Sequence, residues 1–208
     1  MKGSARVFTA ADFTIFEDPT LSGRLGKIQT QLDPKFVQFG QEVLTRWANQ
    51  SDLPPQYFHM AKHLRRHKNP PVDTWLALSP NKRGYKMGPH IEVGFWDDRL
   101  FVWAAILGET KATAYRPNFE MLEEPILALS DTMVLSGDHT KKTGVPLTQA
   151  NFDFLRHRYL TTKAGEFMVG RLIMQDDPLF THPEQLWQSL HATVDALLPV
   201  YQQMQGAI

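Results

Sequence analysis

The sequence predicts an α+β fold in which an antiparallel or mixed sheet is flanked by helices. Apolar residues recur at helical spacing near both ends of the chain, and the middle has the pattern of a β-hairpin. Strand and helix patterns do not alternate regularly, which argues against a parallel sheet of βαβ units. With 208 residues, of which 42% are hydrophobic and 21% charged, the chain can bury a sizeable core. We therefore expect one domain over residues 1–208.

Two consecutive amphipathic helices are predicted over about residues 19–49. Asp18-Pro19 and Asp33-Pro34 each combine a favourable N-cap residue with a proline suited to the first helical position. After each pair, apolar residues recur every three or four positions, which is the spacing of one helix face. Pro54-Pro55 ends this helical region.

The middle of the chain has the pattern of β-strands. The predicted strands are Tyr57–Leu64, Thr74–Ser79, Ile91–Phe95 and Leu100–Ile106. The last two are separated by Asp97-Asp98, and this turn between two apolar runs predicts a hairpin. We prefer a strand for the first, ambiguous segment because Pro70-Pro71 prevents a helix from continuing.

Helical and strand patterns both occur in the rest of the chain. The spacing predicts helices over Tyr115–Leu129, Phe152–Tyr159 and Trp187–Tyr201, and strands over Thr132–Leu135 and Phe167–Met174. Pro125 and Pro199 are expected to kink the first and the last of these helices. Thr181 and Glu184 fit a capping box at the start of the last one.

Composition and motifs exclude several classes of protein. The chain has no cysteine, so disulfides, thiolate metal sites and cysteine nucleophiles are excluded. It contains neither the glycine-rich phosphate loops of P-loop and Rossmann proteins nor a nucleophile elbow. We see no apolar leader and no apolar run of membrane-spanning length, and we therefore expect a cytoplasmic protein that does not enter a membrane.

Basic residues are concentrated in one part of a chain whose formal net charge is zero. Residues 59–90, which we call the basic segment, contain seven of the 22 Lys and Arg residues but one acid, Asp73. Aromatic residues lie nearby, so the segment favours binding of phosphates with stacking of bases. The alternative is a solvated strand edge whose charges discourage aggregation. The candidate ligand-binding residues are Lys62, Arg65, Arg66, Asn69, Asp73, Lys82, Arg83, Tyr85, Lys86 and Lys141.

Acid–base chemistry has four candidate residues. They are His63, His90, Asp138 and His139. His90 follows Gly88-Pro89, where it is either a base at a pocket rim or a histidine satisfied in the core. The Asp-His-Thr-Lys run at 138–141 combines a carboxylate, an imidazole, a hydroxyl and an ammonium group, which either serve catalysis or merely end a strand.

Three histidines of the basic segment have the spacing of metal ligands. His59, His63 and His67 are four residues apart and so share one face of a helix or of a strand. The zincin pattern also requires a glutamate beside the first histidine, which is absent here, and the neighbouring cations oppose a dication. We predict no metal site.

Several long stretches of the sequence resemble the YktB-like family of uncharacterised bacterial proteins. They are HMAKHLRR at 59–66, NPPVDTW at 69–75, NKRGYKM at 81–87, PH at 89–90, GFW at 94–96, DHTK at 138–141 and FTAADF at 8–13. The resemblance extends over nearly the whole chain, which it identifies as a single YktB-like domain. It implies an α+β fold with helices around the strands, leaves an internal duplication open, and implies no activity.

Two residues depart from the pattern of the family. His67 stands where the family usually has threonine, so the three-histidine series is a local feature of this chain. Lys142 stands where the family usually has proline, which changes the loop after the DHTK run.

The sequence leaves three functions open. The first is a binding domain for a phosphate-containing ligand, either nucleic acid or a nucleotide, through the basic segment. The second is an enzyme that acts on a small phosphorylated or anionic substrate with histidine acid–base chemistry. The third is a domain that binds an acidic protein partner or a second copy of itself. No cofactor is identified, and the choice depends on whether the basic residues converge on one surface.

Overall fold

The computed structural model describes residues 7–50 and 53–206, in which five α-helices accompany a seven-stranded antiparallel sheet. The helices are α1 Leu21–Lys27, α2 Asp33–Gln50, α3 Phe119–Leu127, α4 Gln149–Thr161 and α5 Pro183–Gln205. The strands are β1 Tyr57–Met60, β2 Asp73–Ser79, β3 His90–Trp96, β4 Arg99–Ile106, β5 Val134–Ser136, β6 Val145–Pro146 and β7 Phe167–Met174. This architecture confirms the predicted α+β class. An internal duplication stays a prediction.

The sheet has the strand order β1-β2-β3-β4-β7-β5-β6, and every neighbouring pair is antiparallel. β3 and β4 form the predicted hairpin, with His90 opposite Ala105 and Phe95 opposite Leu100. β7 then pairs with the free edge of β4, from Arg99 opposite Met174 to Ile106 opposite Phe167. The chain therefore places its last strand between the hairpin and β5.

The two faces of the sheet have different coverings, because side chains along a strand alternate between them. On one face, which we call the core face, Val93, Phe95 and Val102 pack with apolar residues of the helices. The other, which we call the open face, has a smaller cluster that includes Trp96 and Trp103 and contains no residue of α1–α5 among those described. The helices thus form one layer, and loops cover the open face.

Side chains of α2 and α5 join these helices above the core face. Glu42 on α2 accepts hydrogen bonds from Trp187 Nε1 at 2.8 Å and from His191 Nε2 at 2.9 Å on α5. Phe39 stacks on the His191 ring at a centroid distance of 4.5 Å. Arg46 on α2 pairs with Asp195 on α5. These contacts fix the first long helix against the last one.

The predicted start of the first helix is wrong by a few residues. Asp18 accepts hydrogen bonds from the backbone N–H and the hydroxyl of Thr20 instead of capping the helix itself. Thr20 is the N-cap, and its hydroxyl accepts from the N–H of Gly23 at 3.2 Å. A short polar side chain can cap the helix or form a turn just before it, and sequence spacing does not separate these cases.

The predicted break at Asp33-Pro34 is also absent. The helical path runs on from α1 through a π-helical turn over Ile28–Leu32 into α2, and the N–H of Asp33 donates to Ile28 O. A proline ring ordinarily clashes with the carbonyl four residues earlier, and the wider turn gives it room. Proline therefore marks a widened helix here and not a helix start.

Other predicted elements were too long or were given the wrong start. β1 ends at Met60 because the chain turns at His63, whose backbone is left-handed with a φ of 49°. α3 begins only at Phe119, after Asn118, which caps it. The capping box at Thr181 and Glu184 is wrong, since the Thr181 hydroxyl donates to Pro178 O and His182 precedes the helix. Among the described residues, no helix has the length and apolar character needed to cross a membrane.

Candidate functional site

A concave pocket of about 880 Å³ lies at the open face of the sheet. We call it the basic pocket. Its walls come from β1 and the loop that follows it, from the start of β2, from the loop between β2 and β3, and from the loop after β5. The first three segments follow one another in the chain, and the antiparallel pairing of β1, β2 and β3 brings them together, whereas the loop after β5 is distant in sequence.

Nine of the residues predicted from the sequence line the basic pocket. They are Lys62, His63, Arg65, Arg66, Asp73, Arg83, Tyr85, Lys86 and His139. Five of these are cations and one, Asp73, is an acid. Lys62, Arg65, Arg66 and Arg83 form no ion pair with any residue that the structure describes, whereas Lys86 lies 3.6 Å from a Glu109 oxygen. The lining of the pocket is therefore strongly positive and largely unneutralised.

The other five predicted residues do not line the pocket. Asn69, Lys82 and Lys141 are exposed elsewhere on the surface. His90 is completely buried, with Nδ1 donating to Gly88 O at 2.9 Å, so its place is in the interior beneath the pocket. Asp138 is half-buried, and its carboxylate accepts from the N–H of Thr140 at 2.9 Å and from its hydroxyl.

Aromatic side chains form the inner wall of the basic pocket. Trp75 donates from Nε1 to the Tyr85 hydroxyl at 2.9 Å, and the Tyr85 ring contacts the rings of His59 and His90. Burial raises the pKa of Tyr85, so its hydroxyl stays protonated at neutral pH. Gly94 lies opposite Trp75 in β3, where a Cβ would come within 2.7 Å of the Trp75 Cβ. The absence of a side chain there lets the rings lie close to the strand.

His63 stands at the edge of the pocket in an uncommon backbone conformation. Among the described residues it alone combines a positive φ with a side chain. Its Nε2 lies 3.1 Å from the hydroxyl of Thr74. Burial, and then the charge of Arg66, lower the pKa of His63 to about 4. At neutral pH this imidazole is therefore uncharged and serves as a hydrogen-bonding group.

Asp73 is the carboxylate of the pocket. Burial raises its pKa to about 6, and the nearby negative charge of Glu92 adds to this rise, while Arg66 and His139 act in the opposite direction. A carboxyl group with such a pKa changes charge close to physiological pH, so Asp73 can accept or donate a proton there.

His139 is held by a residue that the sequence analysis did not identify. The Glu166 carboxylate accepts from the His139 backbone N–H at 2.7 Å and from Nδ1 at 2.8 Å. Burial alone would lower the pKa of His139, but the hydrogen bond and charge of Glu166 outweigh it and raise the pKa. Glu166 lies 27 residues away, just before β7, in a stretch with no motif, so the pairing emerges only from the fold.

The loop that contains His139 is fastened on both sides. Lys142 pairs with Asp97 and, at 3.3 Å, with Asp98 in the turn between β3 and β4, and its carbonyl accepts from Arg99 at 2.7 Å. Arg158 on α4 donates to Gly137 O. Lys142 therefore ties this loop to the β3–β4 hairpin.

Asp138, His139 and Glu166 form a cluster whose ligand-type atoms lie within 4.8 Å of one another, the spacing that a metal ion requires. These atoms are already used, since His139 Nδ1 donates to Glu166 and Asp138 accepts from Thr140. The charges of Lys86 and Lys141 act on this cluster and oppose a cation. We therefore treat it as a hydrogen-bonded cluster, and the absence of a metal site stays a prediction.

Comparisons with known proteins identify the family. A family model described as a domain of unknown function (DUF1054) matches residues 8–201. The chain is 45% identical to a UPF0637 protein of Latilactobacillus sakei, covering 94% of this chain and 98% of the relative. It is 42% identical to a UPF0637 protein of Lactiplantibacillus plantarum, covering 97% of each, and 35% identical to one of Listeria welshimeri, covering 93% and 95%. These matches confirm the resemblance to the YktB-like proteins, and the chain belongs to the DUF1054 family.

Proposed function

We propose that this protein binds a small phosphate-containing organic ligand, of the size of a nucleotide, in the basic pocket. The observation that supports this function best is the convergence of five cationic side chains around one concave, aromatic-lined surface. The convergence is a property of the fold, since the cations come from two loops on either side of β2.

The cations of the pocket suit the phosphate part of such a ligand. Arg65, Arg66 and Arg83 offer planar guanidinium groups that bind phosphate oxygens in pairs, and Lys62 adds a compact charge. None of these four is neutralised by a carboxylate of the described residues, so a ligand anion does not have to displace an existing partner.

The aromatic wall suits the organic part. Trp75 and Tyr85 present ring surfaces beside the cations, and stacking of a base on such a ring contributes about 1–3 kcal/mol. Ligand pockets usually have volumes of about 300–1,000 Å³. The cavity of about 880 Å³ falls within that range and favours a nucleotide, or the end of a single strand, over a duplex.

Isothermal titration calorimetry with AMP, GMP, CMP, UMP and inorganic phosphate tests this proposal. We expect at least one nucleotide to bind at about 50 mM salt and to bind more weakly at about 200 mM, because phosphate contacts release counterions. The double variant Lys62→Glu/Arg66→Glu should abolish binding.

Lys68→Glu/Lys82→Glu is the matched control, because it makes the same change in net charge within the basic segment at residues that do not line the pocket. Equal losses in the two double variants would mean that binding follows the general field and not the pocket. Failure of every nucleotide to bind at low salt would contradict the proposal.

A docking face for an acidic protein segment is a second candidate. Leu64, Val72 and Met87 line the pocket and are 79%, 45% and 45% exposed. Exposed apolar residues beside cations are typical of interaction surfaces. Light scattering at low and high salt tests whether the partner is a second copy of this chain. A protein that is monomeric at both salt concentrations would contradict self-association.

A further inference from the structure

We propose that the basic pocket is an active site for phosphodiester hydrolysis, in which Asp73 is the general base, His139 is the general acid and Glu166 positions His139. This inference rests on the proposed function, because it assumes that the pocket takes a phosphate-bearing nucleotide. It adds a reaction, two catalytic residues and one positioning residue.

The geometry around His139 is that of an oriented acid–base imidazole. The Glu166 carboxylate accepts hydrogen bonds from Nδ1 and from the backbone N–H of His139, which fixes the orientation of the ring and its tautomer. Nε2 has no hydrogen-bond partner among the residues that the structure describes, and the side chain lines the pocket. A carboxylate on one ring nitrogen and a ligand cavity at the other is the arrangement by which histidines exchange protons with substrates.

Asp73 supplies a second group in the same cavity. It lies at the start of β2 on the open face, opposite Trp96 of β3, whereas His139 arrives on the loop after β5. Both line the pocket together with Arg66, which is placed to hold the phosphoryl oxygens. Two proton-transfer groups and a guanidinium around one cavity match what phosphodiester cleavage requires.

The step balances without any cofactor. Asp73 takes a proton from a water molecule as the water oxygen forms a bond to phosphorus. The bond from phosphorus to the sugar oxygen breaks, its electron pair stays on that oxygen, and His139 donates a proton to it. The products are a phosphate monoester and an alcohol, and proton exchange with solvent returns Asp73 and His139 to their starting states.

The charged neighbours give the two groups the protonation states that this step needs. Arg66 and His139 favour ionised Asp73 while burial and Glu92 oppose it, and its pKa is about 6. Glu166 and Glu92 favour charged His139 while burial and Lys86 oppose it, and its pKa is above the ordinary value. Between these two pKa values the base is ionised and the acid is protonated in the same molecule.

Two substrates test the general acid. Thymidylyl-thymidine has a poor leaving group, a sugar hydroxyl, and thymidine 5′-(p-nitrophenyl phosphate) has a good one that needs no proton. We expect His139→Ala to slow hydrolysis of the first by about a hundredfold or more and to affect the second much less. We expect Asp73→Asn to slow both. His157→Ala, at an exposed histidine of α4, is the matched control and should leave both rates unchanged.

The pH profile tests the base and the positioning residue. We expect a bell-shaped profile whose low-pH limb lies near pH 6 and is absent in Asp73→Asn. Asp33→Asn is the control, because Asp33 is also a carboxyl group whose pKa burial raises to about 6, but it lies in α2, away from the pocket. Glu166→Gln removes a negative charge and should move the high-pH limb to lower pH, and ¹⁵N spectra should show the pKa of His139 falling with it. A merely structural role for Glu166 would leave that limb in place.

Four outcomes would overturn this inference. Nucleotide binding without hydrolysis of either substrate would leave the proposed function intact and remove the catalytic one. Equal losses on both substrates in His139→Ala would remove the general acid. Activity abolished by EDTA and restored by a divalent metal would assign the reaction to a metal site instead. Absence of both binding and hydrolysis would contradict the proposed function as well.

Discussion

Burial acts in opposite directions on the two kinds of titratable side chain in the basic pocket. It raises the pKa of Asp73 to about 6 and lowers that of His63 to about 4, because in each case it disfavours the charged form. At neutral pH, Asp73 is ionised, which costs folding free energy because the charge is buried, and His63 is neutral. His63 therefore adds nothing to the positive charge of the pocket at neutral pH, and that charge comes mainly from the lysine and arginine residues.

Replacing Asp73 with asparagine is expected to stabilise the protein at neutral pH. The folded state holds the Asp73 proton more tightly than the unfolded chain does, whose carboxyl pKa is near 3.8. The contribution of Asp73 to the free energy of unfolding therefore falls as pH rises from about 4 to about 6, by no more than about 3 kcal/mol. The variant lacks this fall.

Denaturant unfolding at pH 4 and pH 7 measures the effect. The difference between Asp73→Asn and the wild type should be larger at pH 7 than at pH 4. A variant that is less stable at pH 7 would show that Asp73 makes stabilising contacts that outweigh its burial.

Some residues of the basic pocket were predictable from the sequence, and others were not. His63, His139 and Asp73 stand in unusual motifs, and the structure places all three at the pocket. Glu166 could not be found, because it stands in no motif and its role depends on a contact across 27 positions. His90 was a candidate because of its position after Gly88-Pro89, but no pattern in the sequence reveals which face of a strand becomes covered by a loop.

At the scale of the elements, β7 contains a glycine position with no room for a side chain. Gly170 lies opposite Trp103 of β4 and Val134 of β5, in the interior of the sheet. A Cβ at this position would come within 2.8 Å of the Val102 carbonyl carbon and 2.9 Å of the Trp103 Cα. Both are backbone atoms, which cannot move aside without disturbing the pairing of β4 and β7.

We expect Gly170→Ala to lower the free energy of unfolding by about 2 kcal/mol or more, because the added methyl group overpacks two strands. Gly26→Ala in α1 is the control, since a Cβ there meets nothing within 4 Å. It should leave stability unchanged or raise it slightly. Thermal unfolding of both variants beside the wild type measures the difference, and equal midpoints for all three would contradict the expected clash.

Elements with a strong apolar pattern were predictable, but the ends of most of them were not. β7 was predicted with its observed bounds, because Phe167–Met174 is an apolar run between polar turns. The helix starts were misplaced at Asp18 and Asp33, where the same residue types form an Asx-type turn and a π-helical turn. These outcomes depend on which backbone groups the neighbouring residues leave unpaired, and that information is not local.

At the scale of the whole molecule, we propose that residues 1–208 form one domain. The apolar residues of both the first and the last helices belong to a single core cluster with the strands, so neither part has a core of its own. The tryptophans are distributed over both layers, with Trp47 and Trp187 in the helices and Trp75, Trp96 and Trp103 on the open face. Unfolding of each layer can thus be followed separately.

The single-domain proposal leads to an expected unfolding behaviour. In a Trp47→Phe/Trp187→Phe variant, only the open face contributes tryptophan fluorescence. Its unfolding midpoint in guanidinium chloride should coincide with the midpoint from far-ultraviolet circular dichroism, which reports mainly the helices. Separate midpoints for the two signals would show that the layers unfold independently.

The clustering of charge along the chain was predictable, but its arrangement in space was not. Seven cations within residues 59–90 are visible in the sequence. Lys82 and Lys68 nevertheless lie away from the pocket, while His139 joins it from a loop far along the chain. Spatial convergence depends on the register of β1, β2 and β3, which is set by contacts across the whole sheet.

The layered distribution of charge has a consequence for how a ligand arrives. The cations of the pocket lie at the open face, while Glu120, Glu123 and Glu124 line a groove on α3 in the helical layer. A molecule with no net charge but with its charges separated in this way is an electric dipole. An approaching anion exerts a torque on it and turns the open face forward, within a Debye length of about 8 Å at physiological salt. Encounters are thus oriented before contact, although the protein as a whole neither attracts nor repels the anion at long range.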